Sequence, residues 1–212
     1  YTFTRDNNAS LTGAQTVTFM PDLQLMSFCR TLTGVVEGGS DPQRFIPKLV
    51  QFYQEPVNYI SRQLEQVKER KTVYWEYGGD YTTCIPGTSN DGWHNMIQMA
   101  GGENIFGDAS LAGKDIDPEQ ILEADPDLIV KIYAGEVVGN SGVFTAPPQE
   151  EFAGKARTML ERPGWKDLTA VKEGNFYLNT AFMSGGLGKM VGAAYMAKWL
   201  YPELMTDLDP DQ

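Results

Sequence analysis

The only histidine of the chain, His94, stands beside Trp93 at the head of a segment with helical spacing that reads GWHNMIQMAGGENIFGD over residues 92–108. A histidine can serve as a general base, as a metal ligand or as a contact for a bound molecule, or it can simply pack within a helix. A single histidine without a CxxC pair argues against a structural zinc site, and we expect no bound metal or cofactor. The residue types favour a packed histidine first, ligand contact second and catalysis third.

Motifs for hydrolysis and for phosphate binding are missing from the sequence. There is no GxSxG elbow to expose a serine nucleophile and no GxxxxGK[ST] loop. A glycine-rich run, GGLGK at residues 185–189, precedes a predicted helix and could hold an anion on its backbone N–H groups, although such runs are more often simple turns. The sequence therefore offers no complete catalytic motif.

Aromatic side chains gather in and after a predicted strand at residues 72–77. By strand alternation, Tyr74 and Trp75 point to opposite faces of the sheet, and some of these rings must pack in the core. The loop that follows carries one acid, Asp80, next to Tyr81. Rings beyond the strand are free to line a pocket, where they hold large or planar ligands.

The composition is that of an ordinary globular protein with an acidic surface. Of the 212 residues, 42% are hydrophobic and 21% are charged, and the formal net charge is -11. This acidity and the lack of a basic stripe argue against nucleic acid and against an anionic membrane surface as partners. No apolar run approaches the roughly 18 residues that span a bilayer. The chain begins at Tyr1 without a signal-like segment, and we expect it to be a processed or excised piece.

The two cysteines, Cys29 and Cys84, lie far apart in the sequence. A disulfide between these two cysteines could form if the protein is exported to an oxidising compartment. Two unrelated thiols are the simpler interpretation, and the sequence favours it.

Periodicity predicts an α/β fold. Asp41 and Pro42 form a helix start, and apolar residues at steps of three or four extend one long helix to residue 69. Strands then alternate with helices, which implies a mostly parallel sheet flanked by helices on both faces, as in a Rossmann-like lobe. The predicted strands are residues 72–77, 127–132 and 175–178, and the predicted helices are residues 93–100, 118–124, 150–161 and 187–200.

The carboxyl ends of the predicted strands are the place to look for a ligand. Ligands of open α/β sheets bind beyond these ends. In this chain the segments in question are residues 77–83, 133–135 and 180–186.

Three runs in one order resemble a known family. They are residues 99–108 (MAGGENIFGD), 117–122 (DPEQIL) and 125–130 (DPDLIV). Their combination resembles the carboxyl-terminal lobe of the substrate-binding proteins of ABC importers for ferric siderophores, haem and cobalamin. Residues 163–177 and 197–203 are similar to that family too, and the resemblance covers about residues 34–204.

The resemblance implies a domain organisation. Proteins of this family have two α/β lobes that are joined by one long helix and hold the ligand between them. We therefore expect residues 1–40 to be a remnant of the amino-terminal lobe, residues 41–70 to be the interlobe helix and residues 71–212 to be the carboxyl-terminal lobe. Most of the first lobe is missing, so the chain is interpreted as a carboxyl-terminal fragment of a longer protein.

The resemblance also implies a function without catalysis. The chain would bind a metal chelate outside the cytoplasm, in the periplasm or on the outer face of the membrane through an anchor, and pass it to the permease. Glu119 matches the position that contacts permease arginines, although a glutamate in a first helical turn also favours the helix dipole. The expected ligand contacts are Tyr77, Asp80, Tyr81, Thr82, Thr83, Trp93, His94, Tyr133 and Phe182.

Two other functions remain open from the residues. The first is a small-molecule chelatase or hydrolase on a similar fold, with His94 as the base and Asp80 or Glu76 as its partner. The second is a sensor lobe that only binds other proteins. Turnover that depends on His94 would distinguish the enzyme from a binding protein.

Overall fold

The computed structural model describes residues 42–76, 92–111, 116–132, 149–179 and 188–210. In the first helix, α1 (Pro42–Leu64), the side chains are described from Val50 onward, apart from Phe52. The remaining elements, in chain order, are β1 (Thr72–Glu76), α2 (Gly92–Met99), β2 (Glu103–Asn104), α3 (Pro118–Ala124), β3 (Leu128–Ile132), α4 (Gln149–Leu160), α5 (Thr169–Lys172), β4 (Phe176–Asn179) and α6 (Gly188–Leu200). Short 3-10 turns lie at Ala109–Leu111 and Trp165–Asp167.

The four strands form one sheet in the order β2-β1-β3-β4. All the described pairs are parallel, and Glu76 of β1 stands opposite Lys131 of β3, while Ile132 of β3 stands opposite Asn179 of β4. Parallel neighbours require crossover connections, and helices follow the strands in the chain. The predicted α/β architecture with a parallel sheet is therefore confirmed.

Helices cover both faces of the sheet. One core packs Val73 and Trp75 against residues of α1, α2 and α6 such as Ile60, Met96 and Ala193. The other core packs Tyr74 and Ile129 against α3, α4 and the segment around Trp165. Tyr74 and Trp75 thus point to opposite faces, as strand alternation predicts.

The long helix begins at Pro42, as predicted, but it ends at Leu64 and not at Glu69. Hydrogen bonds of the i to i−3 type tighten the chain beyond its end, with Val67 N–H donating to the carbonyl of Leu64 at 3.0 Å. The chain must turn here because Lys71 leads directly into β1, where its N–H donates to the Tyr201 hydroxyl at 3.0 Å. The interlobe role of α1 and the first 40 residues lie beyond what the described residues test.

The glycine pair after α2 is structural. Gly101 has φ 86°, a left-handed value that favours glycine, and it ends the helix. Its missing side chain also leaves room for neighbours, because a Cβ at this position would lie 2.9 Å from Cε2 of Tyr201 and closer still to Leu64.

Replacing Gly101 by alanine should therefore lower stability for two reasons, the backbone conformation and the close packing. The left-handed backbone alone costs about 1–2 kcal/mol for an alanine, and the contacts with Leu64 and Tyr201 should add about 1–3 kcal/mol. Gly174→Ala is the matched control, since Gly174 has φ 77° and no atom lies within 4 Å of the place that its methyl group would take. Urea unfolding of both variants measures the two costs, and equal losses would contradict the packing contribution at Gly101.

Candidate functional site

The carboxyl ends of β1, β3 and β4 meet at one edge of the sheet, which we call the carboxyl edge. Its strand residues are Glu76, Ile132 and Asn179. Because α2 follows β1 and α6 follows β4 in the chain, both helices begin on this side. Fold geometry thus places the described ends of three strands and the starts of two helices where ligands of such sheets bind.

Most of the predicted ligand contacts lie outside the described residues. Trp93, His94 and Glu119, the residue predicted to contact a permease, are described, so the structure positions these three. The roles of the others remain predictions from the sequence; they are Tyr77, Asp80, Tyr81, Thr82, Thr83, Tyr133 and Phe182.

Trp93 lies half-buried in the first turn of α2. The Nζ atom of Lys189, the second residue of α6, lies 5.5 Å from the centroid of the Trp93 ring. This cation–π geometry joins the starts of the two helices at the carboxyl edge. Lys189 is only 7% exposed, so the ring covers a buried cation and keeps part of its own surface accessible.

His94 contacts the turn that follows α2. Its Nδ1 lies 3.3 Å from Nδ2 of Asn104, and Oδ1 of Asn104 accepts a hydrogen bond from Phe106 N–H at 3.1 Å. This second bond assigns the amide orientation, so Nδ2 is the donor toward His94 and Nδ1 must accept. The contact supports a histidine that orders this turn.

A buried charge cluster at the carboxyl edge is the feature that the sequence analysis missed. The Glu76 carboxylate accepts hydrogen bonds from both terminal nitrogens of the Arg162 guanidinium, at 2.6 and 3.1 Å. It also forms an ion pair with Nζ of Lys131 at 2.9 Å. The side chains of Glu76 and Lys131 are fully buried, and that of Arg162 is 13% exposed. Burial lowers the pKa of Lys131, and the Glu76 carboxylate opposes that shift.

Neighbouring rings complete this Glu76–Lys131–Arg162 cluster. The Tyr74 hydroxyl donates to Oε2 of Glu76 at 3.4 Å, and the Arg162 guanidinium lies 4.5 Å from the centroid of the Trp165 ring. The cluster ties the segment after α4 to the ends of β1 and β3. A lysine inside the apolar run of β3 was a possible signal, whereas Arg162 gave none, since it stands 86 positions from its partner.

The cluster corrects one part of the enzyme hypothesis. Glu76 shares a face of the sheet with Tyr74, whereas α2 and therefore His94 belong to the opposite face. The Glu76 carboxylate is also engaged by two cations. Glu76 is therefore not positioned as the partner of a His94 base, and Asp80, the other partner considered, lies outside the described residues.

Glu119 is exposed in the first turn of α3. Its backbone N–H donates to Oδ1 of Asp117 at 3.0 Å, which caps the helix. Because α3 ends just before β3 begins, its first turn lies toward the carboxyl edge. The side chain is thus presented to solvent on the side where the strands end.

A groove of about 360 Å³ lies elsewhere, between the ends of α1 and α2. It is on the side of the sheet where β1 begins, away from the carboxyl edge. Its lining residues are Val57, Ser61, Leu64, Glu65, Arg70, Gln98 and Met99.

Across the described ranges, no set of three or more histidine, cysteine, aspartate or glutamate side chains could hold a metal ion. Within the same ranges no helix has the length and apolar character to cross a membrane.

Within the charge cluster, the loss of Glu76 should lower the stability of the protein the most. In Glu76→Gln, Lys131 and Arg162 lose the carboxylate that they face, and breaking a buried ion pair in this way costs about 3–5 kcal/mol. Lys131→Met should cost less, because it removes a buried cation and leaves Glu76 with Arg162. Chemical unfolding measures both, with the exposed Glu161→Gln as the control; a larger loss for Lys131→Met would contradict this account.

Comparison with known proteins places the chain. A family model described as periplasmic binding protein matches residues 8–181. No curated protein sequence matches the chain. The TroA-like periplasmic binding protein FepB of Veillonella parvula is similar in structure, with a TM-score of 0.68 and 23% identity over 90% of this chain and 55% of that one.

Two further solved structures carry the same fold. A protein of an ABC-type Fe3+-hydroxamate transport system from Saccharomonospora viridis has a TM-score of 0.58 and 16% identity, over 85% of this chain and 56% of its own. The periplasmic haem-binding protein RhuT from Roseiflexus has a TM-score of 0.52 and 20% identity, over 91% and 63%. The chain therefore spans little more than half the length of these proteins.

Proposed function

Since the chain belongs to the periplasmic binding protein family, we propose that it is the carboxyl-terminal lobe of a solute-binding protein that serves an ABC importer. The match over residues 8–181 is the observation that carries this proposal. The geometry of the carboxyl edge supports it, because the described edge brings together a half-buried ring, two helix starts and buried charges. Such a lobe binds and releases its cargo without chemical change.

The proposed cargo is a metal chelate: a ferric siderophore, haem or cobalamin. Two of the similar structures belong to proteins whose names state Fe3+-hydroxamate transport and haem binding. Chelates of this kind are large and rich in planar or apolar surface, for which Trp93 offers a suitable contact. Affinity would come from closure of two lobes over a largely preformed surface.

The proposed location is outside the cytoplasm, where the protein would meet its cargo and deliver it to the membrane permease. The periplasmic binding protein family supports this location. The proposed contact with the permease is Glu119, which is exposed in a first helical turn. A carboxylate in that position can pair with an arginine of a partner at little cost to the free protein.

Titration with chelates tests the cargo. Haem, cobalamin and several ferric siderophores are added in turn while tryptophan fluorescence is followed, and one of them should quench it saturably without being converted. Trp93→Phe should lose most of the quenching, because Trp93 keeps accessible surface at the carboxyl edge whereas Trp75 is only 1% exposed. Trp199→Phe is the control and should keep it, because Trp199 stacks on Tyr177 at 3.9 Å in the body of the lobe.

The same titration separates the competing functions. Conversion of a chelate that disappears in His94→Ala would support the chelatase or hydrolase. Equal loss of quenching in Trp93→Phe and Trp199→Phe would contradict binding at the carboxyl edge.

Glu119 provides a test of delivery that does not involve cargo binding. In the full-length protein, Glu119→Gln should reduce uptake of the cargo by cells at least severalfold while the affinity for cargo stays unchanged. Glu123→Gln, an exposed position on the same helix, is the matched control. If Glu119 serves only the helix dipole, its loss changes stability by about 0.3–1 kcal/mol and leaves uptake unchanged, and that outcome would refute the docking role.

A further inference from the structure

Three buried side-chain polar atoms in the described part of the chain have no hydrogen-bond partner: Nδ2 and Oδ1 of Asn179 and Nε1 of Trp75. Asn179 is 5% exposed and Trp75 is 1% exposed. Buried polar side chains in native proteins are normally paired, so each exception requires an explanation.

The two residues lie on one face of the sheet, near one edge. Asn179 is the last residue of β4, and Trp75 is the last but one of β1. Tyr177 packs with Trp75 in the core beneath α2 and α6, and Asn179 follows Tyr177 by two positions, which returns it to the same face. All three unpaired atoms therefore belong to the carboxyl-edge side of this face.

Another buried asparagine shows what a structural role looks like in this chain. Asn104 is 8% exposed, and its two amide atoms contact Phe106 N–H at 3.1 Å and His94 Nδ1 at 3.3 Å. An unpaired amide such as that of Asn179 lowers stability, since it loses water and gains nothing in return. Such a cost requires an explanation, and proteins often give up stability where a functional site needs it.

We propose that Asn179 is a ligand-binding residue of the carboxyl edge and that it pairs with an amide group of the cargo; this inference rests on the proposed function. The Asn179 Nδ2–H group would donate to the cargo's carbonyl oxygen, and Oδ1 would accept from its N–H. Since both atoms are buried in the free protein, the edge must rearrange locally when cargo enters.

This pairing selects among the proposed cargoes. A corrinoid carries amide arms, and peptide-based siderophores carry amide bonds, so both supply a donor next to an acceptor. The side arms of haem are carboxylates, which only accept hydrogen bonds when ionised and would leave Oδ1 of Asn179 unpaired. A ligand that cannot pair with a buried polar group is disfavoured. The structure thus points to an amide-bearing chelate.

The stability of the free chain provides the first test. Asn179→Leu keeps the branched shape of the side chain and removes the unpaired atoms, so it should raise the midpoint of urea unfolding. Asn104→Leu is the matched control and should lower it, because that amide is paired. A lower midpoint for Asn179→Leu would show that the amide has a structural partner, such as a buried water, and would overturn the inference while leaving the proposed function intact.

Calorimetric titration of the full-length protein with cobalamin, a peptide-based ferric siderophore and haem provides the second test. Asn179→Leu and the smaller Asn179→Ala should each weaken binding of an amide-bearing chelate about tenfold or more. Asn175→Leu, which lies just before the start of β4, should leave the affinity unchanged. Unchanged affinity in both Asn179 variants, or haem as the only chelate bound, would overturn this inference but would leave the proposed function intact. Binding of none of the three by the unaltered full-length protein would count against the proposed function and the inference together.

Discussion

The pairing of β1 with β3 is the constraint on which the rest of the described structure depends. It is held at both ends by side chains. At the start, the Asp127 carboxylate accepts from the N–H and the hydroxyl of Thr72, at 2.7 and 2.9 Å. At the end, Glu76 meets Lys131 at 2.9 Å. A slip of one residue would exchange the faces of the sheet and break both contacts, so register, core and charge cluster are set together.

The two faces of the sheet differ in whether their buried polar groups are paired. On the face toward α4, Glu76 is fully engaged by Lys131 and Arg162, which stabilises the junction but leaves the acid with no freedom for chemistry. On the opposite face, Asn179 and Trp75 keep polar atoms without partners in the described part of the chain. The paired cluster makes a rigid support on one face, and the unpaired amide on the other face is consistent with the ligand-binding role proposed for Asn179.

Much of the fold could be predicted because its signals are local. Helical periodicity, the start at Pro42 and the strand runs required only neighbouring residues, and element boundaries differed by a few residues at most places. The largest error was the end of α1, which runs to Leu64. The turn there depends on a residue far away in the sequence, because the Tyr201 hydroxyl accepts a hydrogen bond from Lys71 N–H and donates one to the Gly101 carbonyl, both at 3.0 Å. No local pattern carries that information.

The sequence by itself determined the class of the fold and the family resemblance, because propensity, periodicity and motif order are properties of short segments. Tertiary structure alone decided that Arg162 joins Glu76, that His94 meets Asn104 and that the amide of Asn179 is buried with no partner among the described residues. The physical reason is that the energy of a buried polar group depends on which distant atoms reach it after folding, and desolvation makes that dependence strong.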